Sequence, residues 1–145
     1  MARRIPQPLY DEVFELVTLI AQPYAEPLED VDPASAALAL GKLRDLYERQ
    51  RNAGAPDPLL TEALADFTDD AAESVRLYRL ALAQATDFPD EPTHTKRVGL
   101  ARRLCQLGLT SDAARELEVA RREAFAVRDS SALAELDELA KELAV

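Results

Sequence analysis

The sequence predicts an all-α chain of about seven helices, arranged as antiparallel hairpins. Alanine and leucine supply 26 and 23 of the 145 residues, and both are strong helix formers. Four glycines, no tryptophan and 6% aromatics leave little that favours strands or tight hairpin turns. Apolar residues recur at spacings of three and four, the period of a helix with one buried face.

The first helix is expected over residues 8–21, where Leu9, Val13, Leu16, Val17 and Ile20 form one apolar face and Tyr10 and Phe14 widen it. Such a helix should be largely buried. Pro23 and Pro27 then predict a loop over residues 22–32. Asp32-Pro33 opens the second helix, with aspartate capping free amides and proline at the first helical position. Its inward stripe reads Ala36, Leu40, Leu43 and Tyr47, with Leu46 alongside, and Gly54 lies in the segment that ends it.

Asp57-Pro58 repeats the opening device for a short third helix carrying Leu60, Ala63, Leu64 and Phe67. Asp70 followed by Glu73 resembles a capping box for a fourth, whose inward residues are Val75, Tyr78, Ala81, Leu82 and Ala85. Phe88-Pro89-Asp90-Glu91-Pro92 must interrupt it, because two prolines remove donors and restrict the residues before them. The fifth helix should run from about Pro92 to Gly108, the sixth from Ser111 or Asp112 to about Val127. Asp129, Ser130 and Ser131 offer a cap for the seventh, marked by Leu133, Leu136, Leu139, Ala140 and Leu143.

Residues 100–120 are the clearest hairpin. Leu100, Ala101, Leu104 and Leu107 make one stripe, Gly108 breaks it, and Ala113, Ala114, Leu117 and Ala120 begin another. Ser74, Val75, Tyr78 and Ala81 lie 39 residues before those last four, so a small, small, large, small rhythm repeats.

On these residues the chain resembles the tetratricopeptide-repeat (TPR) family, whose repeats pair two antiparallel helices over about 34 residues. Leu100-Ala101, Leu104, Gly108, Ala113, Leu117 and Ala120 follow its pattern in residues 92–127; Val75, Tyr78, Ala81 and Pro89 follow its second half in residues 57–91. The longer spacing places its surplus in FPDEPTHT. The resemblance implies one domain over residues 1–145: a short TPR-like right-handed superhelix with a diverged pair at 8–51 and a capping helix at 130–145. The physical reason for stacking is that a two-helix unit cannot hide both apolar faces alone. Glu135, Asp137, Glu138 and Glu142 then belong on the solvent side of the cap.

At 16.0 kDa the chain can bury a real core without disulfides. Its single cysteine, Cys105, sits in an apolar helical pattern and reads as a small core residue. Arg3 and Arg4 are not followed by an apolar run of signal-peptide length, and no run of 18 apolar residues occurs, so a cytoplasmic protein without membrane contact is expected. A formal charge of −10 opposes binding to nucleic acid. The charge is uneven: residues 96–128 carry 8 basic and 4 acidic side chains, whereas residues 1–95 carry 8 and 18.

One histidine, one cysteine, no phosphate-cradling glycine loop and no metal-ligand cluster give no catalytic constellation, so no enzyme activity, cofactor or metal is expected. His94 reads as an exposed or capping residue, and Asp69-Asp70 as the start of the fourth helix rather than a cation site. The basic island comprises Lys96, Arg97, Arg102 and Arg103 on the fifth helix and Arg115, Arg121, Arg122 and Arg128 on or just after the sixth. The resemblance implies an inner groove that grips a partner segment, with Thr95, Val98, Arg102 and Gln106 facing it once Gly108 takes the family's glycine position. Arg102 and Gln106 would then hold a carboxylate, with Arg97 and Arg103 beside them. The bland alternative pairs these arginines with Glu116, Glu118, Glu123 and neighbouring acidic segments, giving a solvated mixed-charge face.

The expected function is therefore a noncatalytic adaptor or scaffold binding another protein. Two further readings are an acidic inhibitor of immunity or antitoxin type that blocks a basic enzyme, and self-association through the uncapped first helix.

Overall fold

The computed structural model describes residues 3–25 and 33–144, and every regular element among them is helical. In chain order these are α1 (Gln7–Ala25), α2 (Pro33–Asn52), α3 (Pro58–Asp66), α4 (Ala71–Ala85), α5 (His94–Gln106), α6 (Thr110–Ala126) and α7 (Ser130–Leu143). α1 packs on α2, α3 on α4 and α5 on α6, while α7 lies against both α6 and α5. The pairs are joined through α3 against α1 and α2, and through α5 against α4. This order is compatible with a helical-repeat arrangement.

Three aspartates start helices as their sequence positions predict. Asp57 Oδ1 accepts from the amides of Leu59 and Leu60 at 2.9 and 3.1 Å, Asp70 Oδ1 from Glu73 at 2.8 Å, and Asp129 Oδ1 from Ala132 at 3.0 Å. Only the aspartate half of the capping box forms, because the Glu73 carboxylate turns to Arg76, whose Nε donates to it at 2.9 Å. The Asp32 cap and the loop expected over 26–32 lie outside the described residues. α1 continues past Pro23 to Ala25, beyond the stop expected at residue 21. A proline in the last turn removes one backbone donor and leaves earlier turns intact.

The turns that end α2, α5 and α6 share one device. A residue with positive φ follows the helix, and two backbone hydrogen bonds reach back over it. After α5, Gly108 (φ 75°) donates to Cys105 O at 3.0 Å and Leu109 to Leu104 O at 2.9 Å. After α2, Gly54 (φ 68°) and Ala55 repeat the pair on Arg51 and Gln50. After α6, Arg128 takes the same left-handed conformation with φ 57°, the one non-glycine among the described residues to do so.

Burial follows one rhythm through the second helix of each pair. Ala39, Leu43 and Leu46 on α2, Ser74, Tyr78 and Ala81 on α4, and Ala113, Leu117 and Ala120 on α6 are all buried at spacings of four and three. The stripe of α2 is thus centred on Ala39, with Ala36 and Leu40 only half-buried. The 39-residue repeat holds at three of its four positions: Val75 is buried but its counterpart Ala114 is exposed.

The core divides at α5. One cluster joins α1 to α4 with Leu100 and Leu104 of α5 and Ala113 of α6; the other joins Val98 and Ala101 to Leu117, Ala120, Leu136 and Leu139. α5 therefore buries two neighbouring faces, one in each cluster. α4 and α5 approach so closely at Gly99 that a Cβ there would stand 2.4 Å from Tyr78 Cζ and 2.5 Å from its Oη. At the end of the array, the outward positions of α7, including Glu135, Asp137, Glu138 and Glu142, are exposed.

Candidate functional site

Each sequence-predicted site residue can be placed. Arg97 is half-buried between two carboxylates of α6, with Nη1 2.9 Å from Glu116 Oε2 and Nε 2.8 Å from Glu123 Oε1. Glu123 also accepts from the Thr93 hydroxyl. Arg102 pairs with Glu135 of α7. Arg103 reaches the α3–α4 connection, donating to Thr68 O at 2.9 Å, and also donates to Gln106 Oε1 at 3.1 Å. Arg121 pairs with Asp137 at 2.7 Å and Arg115 with Asp112. Val98 is buried in the second core, so it does not face a groove. Most of the basic island is thus neutralised within the fold, the bland alternative, and the expected carboxylate clamp at Arg102 and Gln106 is not assembled.

His94 and Lys96 correct the sequence reading most sharply. His94 is 5% exposed rather than a surface residue. It lies on the stripe of Val98 and Ala101, and its Nε2 is 2.8 Å from Asp129 Oδ2. The Ala132 amide, followed by His94, holds the Asp129 carboxyl below the usual aspartate range. Lys96 is wholly buried at 0% exposure, on the stripe of Leu100 and Leu104. Its Nζ donates to Glu62 Oε2 at 2.7 Å, Glu91 Oε1 at 2.9 Å and Pro92 O at 2.8 Å. A lysine ammonium has three donors, and all three are spent.

Beside this buried ion group an open groove of about 270 Å³ runs between the first helices of the three pairs. α1 contributes Tyr10, Phe14 and Val17; α3 contributes Leu59 and Ala63; Thr95 of α5 closes one side. Tyr10 and Phe14 are 45% and 65% exposed, which corrects the expectation of a largely buried first helix.

The polar lining of the groove is acidic: Glu62, Asp66 and Glu91 all reach it. Asp66 Oδ1 accepts from the Tyr78 hydroxyl under Gly99. Desolvation of its carboxyl pushes Asp66 up to about 6, with the Tyr78 bond opposing the rise, although the residue as a whole is exposed to solvent. Burial, then the Asp66 charge, pushes the Tyr78 hydroxyl above its ordinary range.

Of the six residues expected in or beside a partner-binding groove, only Thr95 lines this one. Tyr10, Phe14, Glu62, Asp66 and Glu91 were not legible as a group, because the fold collects them from three helices and a turn. Cys105 is half-buried and its thiol is pushed up by burial, in keeping with a packing role. Among the described residues, no group of three or more His, Cys, Asp or Glu side chains is placed to hold a metal ion, and no helix is long and apolar enough to cross a membrane. Comparison with known proteins adds no identity to this geometry: no family model matches the chain, and neither the curated proteins nor the solved structures yield a match.

Proposed function

We propose that this chain is a noncatalytic interaction module of TPR-like build, an adaptor or scaffold that holds a segment of another protein in the groove between α1, α3 and α5. One observation carries the reading: the groove leaves Tyr10 and Phe14 in water beside the apolar Val17, Leu59 and Ala63. Exposed apolar surface gathered in a groove marks an interaction site, and aromatic side chains are enriched among the residues that dominate protein contacts. Helix-lined concave surfaces of stacked hairpins also suit extended or helical segments.

The test is selection from a random peptide display library, run in parallel on the wild type and on Phe14→Asp with helicity checked by circular dichroism. Sequences enriched by the wild type and lost by a folded Phe14→Asp support the reading. Equal enrichment by both moves the interface away from the groove and refutes it, as does no enrichment above an unrelated protein.

The formal charge of −10 supports a second reading, an acidic inhibitor that covers a basic enzyme. It requires binding to a folded basic protein that weakens steeply with salt and does not depend on Phe14.

A further inference from the structure

We infer that the α1–α3–α5 groove selects a lysine or arginine side chain of the partner segment, set between apolar neighbours; the inference rests on the interaction-module reading and specifies its partner's chemistry.

The argument is a count of charges and donors. Three carboxylates, Glu62, Asp66 and Glu91, line the groove, and the nearest buried cation is Lys96. Lys96 gives its three protons to Glu62, Glu91 and Pro92 O, so none remains for Asp66. Arg102, the other cation that acts on Asp66, is taken by Glu135. What Asp66 receives is one neutral hydrogen bond, from Tyr78. With Arg103, whose guanidinium donates to the Thr68 carbonyl and reaches the Asp66 carbonyl, two cations stand against three carboxylates, so the lining keeps an excess of negative charge, partly desolvated, where attraction to a cation is stronger than in water.

The apolar part of the groove fits the same occupant. Lysine and arginine bury their methylene stems along apolar surface while the charged head seeks an acceptor. The exposed faces of Tyr10 and Phe14 add cation–π attraction, which favours the same charge. An acidic or phosphorylated segment meets repulsion from all three carboxylates.

The experiment uses three pools of fluorescent 12-residue peptides that differ only at one central position, fixed as lysine, norleucine or glutamate, with leucine on either side and the remaining positions randomised. Anisotropy titrations against the whole chain give an affinity for each pool. The lysine pool binds at least ten-fold tighter than the norleucine pool, and the glutamate pool binds weakest. Asp66→Asn keeps an acceptor for Tyr78 and removes the charge; it shrinks the lysine preference several-fold while helicity is retained.

Equal binding of lysine and norleucine, or a preference for glutamate, overturns the inference. If display selection still finds Phe14-dependent peptides in that case, the interaction module stands and only its charge preference is lost. If display selection also fails, both readings fall together. A preference for lysine that Asp66→Asn and Glu62→Gln each leave unchanged places the selecting charge elsewhere and equally overturns the assignment to this groove.

Discussion

Gly99→Ala and Gly41→Ala place the same substitution inside two helices, yet they should move stability in opposite directions. Replacing a mid-helix glycine by alanine gains about 1 kcal/mol in helix propensity alone. At Gly41 nothing lies within 4 Å of the new methyl, so that gain is realised. At Gly99 the methyl would meet Tyr78 at 2.4 Å from Cζ, 2.5 Å from Oη and 2.6 Å from Cε1. Contacts under 3 Å against an aromatic ring cannot be relieved by a small torsion, and Tyr78 is itself buried and bonded to Asp66. α4 and α5 must part or the ring must leave its well. Overpacking of this kind costs about 1–3 kcal/mol, occasionally more, which outweighs the propensity gain. Urea denaturation followed by circular dichroism should show Gly99→Ala destabilised by about 1–3 kcal/mol and Gly41→Ala stabilised by about 0.5–1 kcal/mol. On a Tyr78→Ala background, itself destabilised because a buried ring is lost, adding Gly99→Ala should cost less than it does in the wild type, since the ring it would strike is gone. A Gly99→Ala variant as stable as the wild type would show that the helices are not in this register and would refute the packing argument.

Other consequences can be measured separately. Lys96→Met leaves Glu62 and Glu91 facing each other without their cation and should cost about 3–5 kcal/mol, with partial recovery on adding Glu62→Gln and Glu91→Gln. A loss under about 1 kcal/mol in thermal melts, well below that range, would mean the ammonium is not buried as described. Arg128→Gly keeps the left-handed turn but lifts the roughly 1–2 kcal/mol that this conformation costs a residue with a Cβ, and should raise the urea midpoint; a fall would argue against φ 57° at that turn.

The pH dependence follows from carboxyls shifted in opposite directions. The Asp66 carboxyl is raised from 3.8 to about 6 in the folded chain, so folding favours its protonated form. Its contribution to stability therefore grows as pH falls from above 6 towards 4, and Asp57, also raised by burial, acts in the same sense. Asp129 is lowered instead, so its contribution is present above about pH 4 and is lost as pH falls further. Urea midpoints should rise between pH 7.5 and 5 and drop below 4. Asp66→Asn should flatten the upper slope, and an unchanged slope would remove Asp66 as its source.

Much of the fold was legible because it is written locally. Aspartate before proline, aspartate three residues before a free amide, and glycine after an apolar stripe each fix a helix end with nearby atoms. Lys96 was also legible in principle, since it precedes Leu100 by four and Leu104 by eight and so shares their buried stripe; its charge argued for water more loudly than its position argued for the core. His94 was misread the same way, one stripe round, with Val98 and Ala101. The groove is a different matter. Its walls come from Tyr10 and Phe14 at one end of the chain and Glu91 and Thr95 far along it, and no spacing rule links side chains that meet only after three hairpins have stacked. Arg97 meets Glu116 and Glu123 because opposite charges on paired helices seek each other wherever geometry allows.

The two-faced helix α5 has a consequence for how the molecule breathes. Since α5 supplies Leu100 and Leu104 to one cluster and Val98 and Ala101 to the other, it cannot unwind without emptying both at once, whereas α7, at the end of the array, can fray and leave most of the first cluster intact. Amide protons of α7 should therefore exchange with solvent soonest and those of Leu100 to Leu104 last, so that the partition between the two hydrophobic rooms becomes the final piece to dissolve.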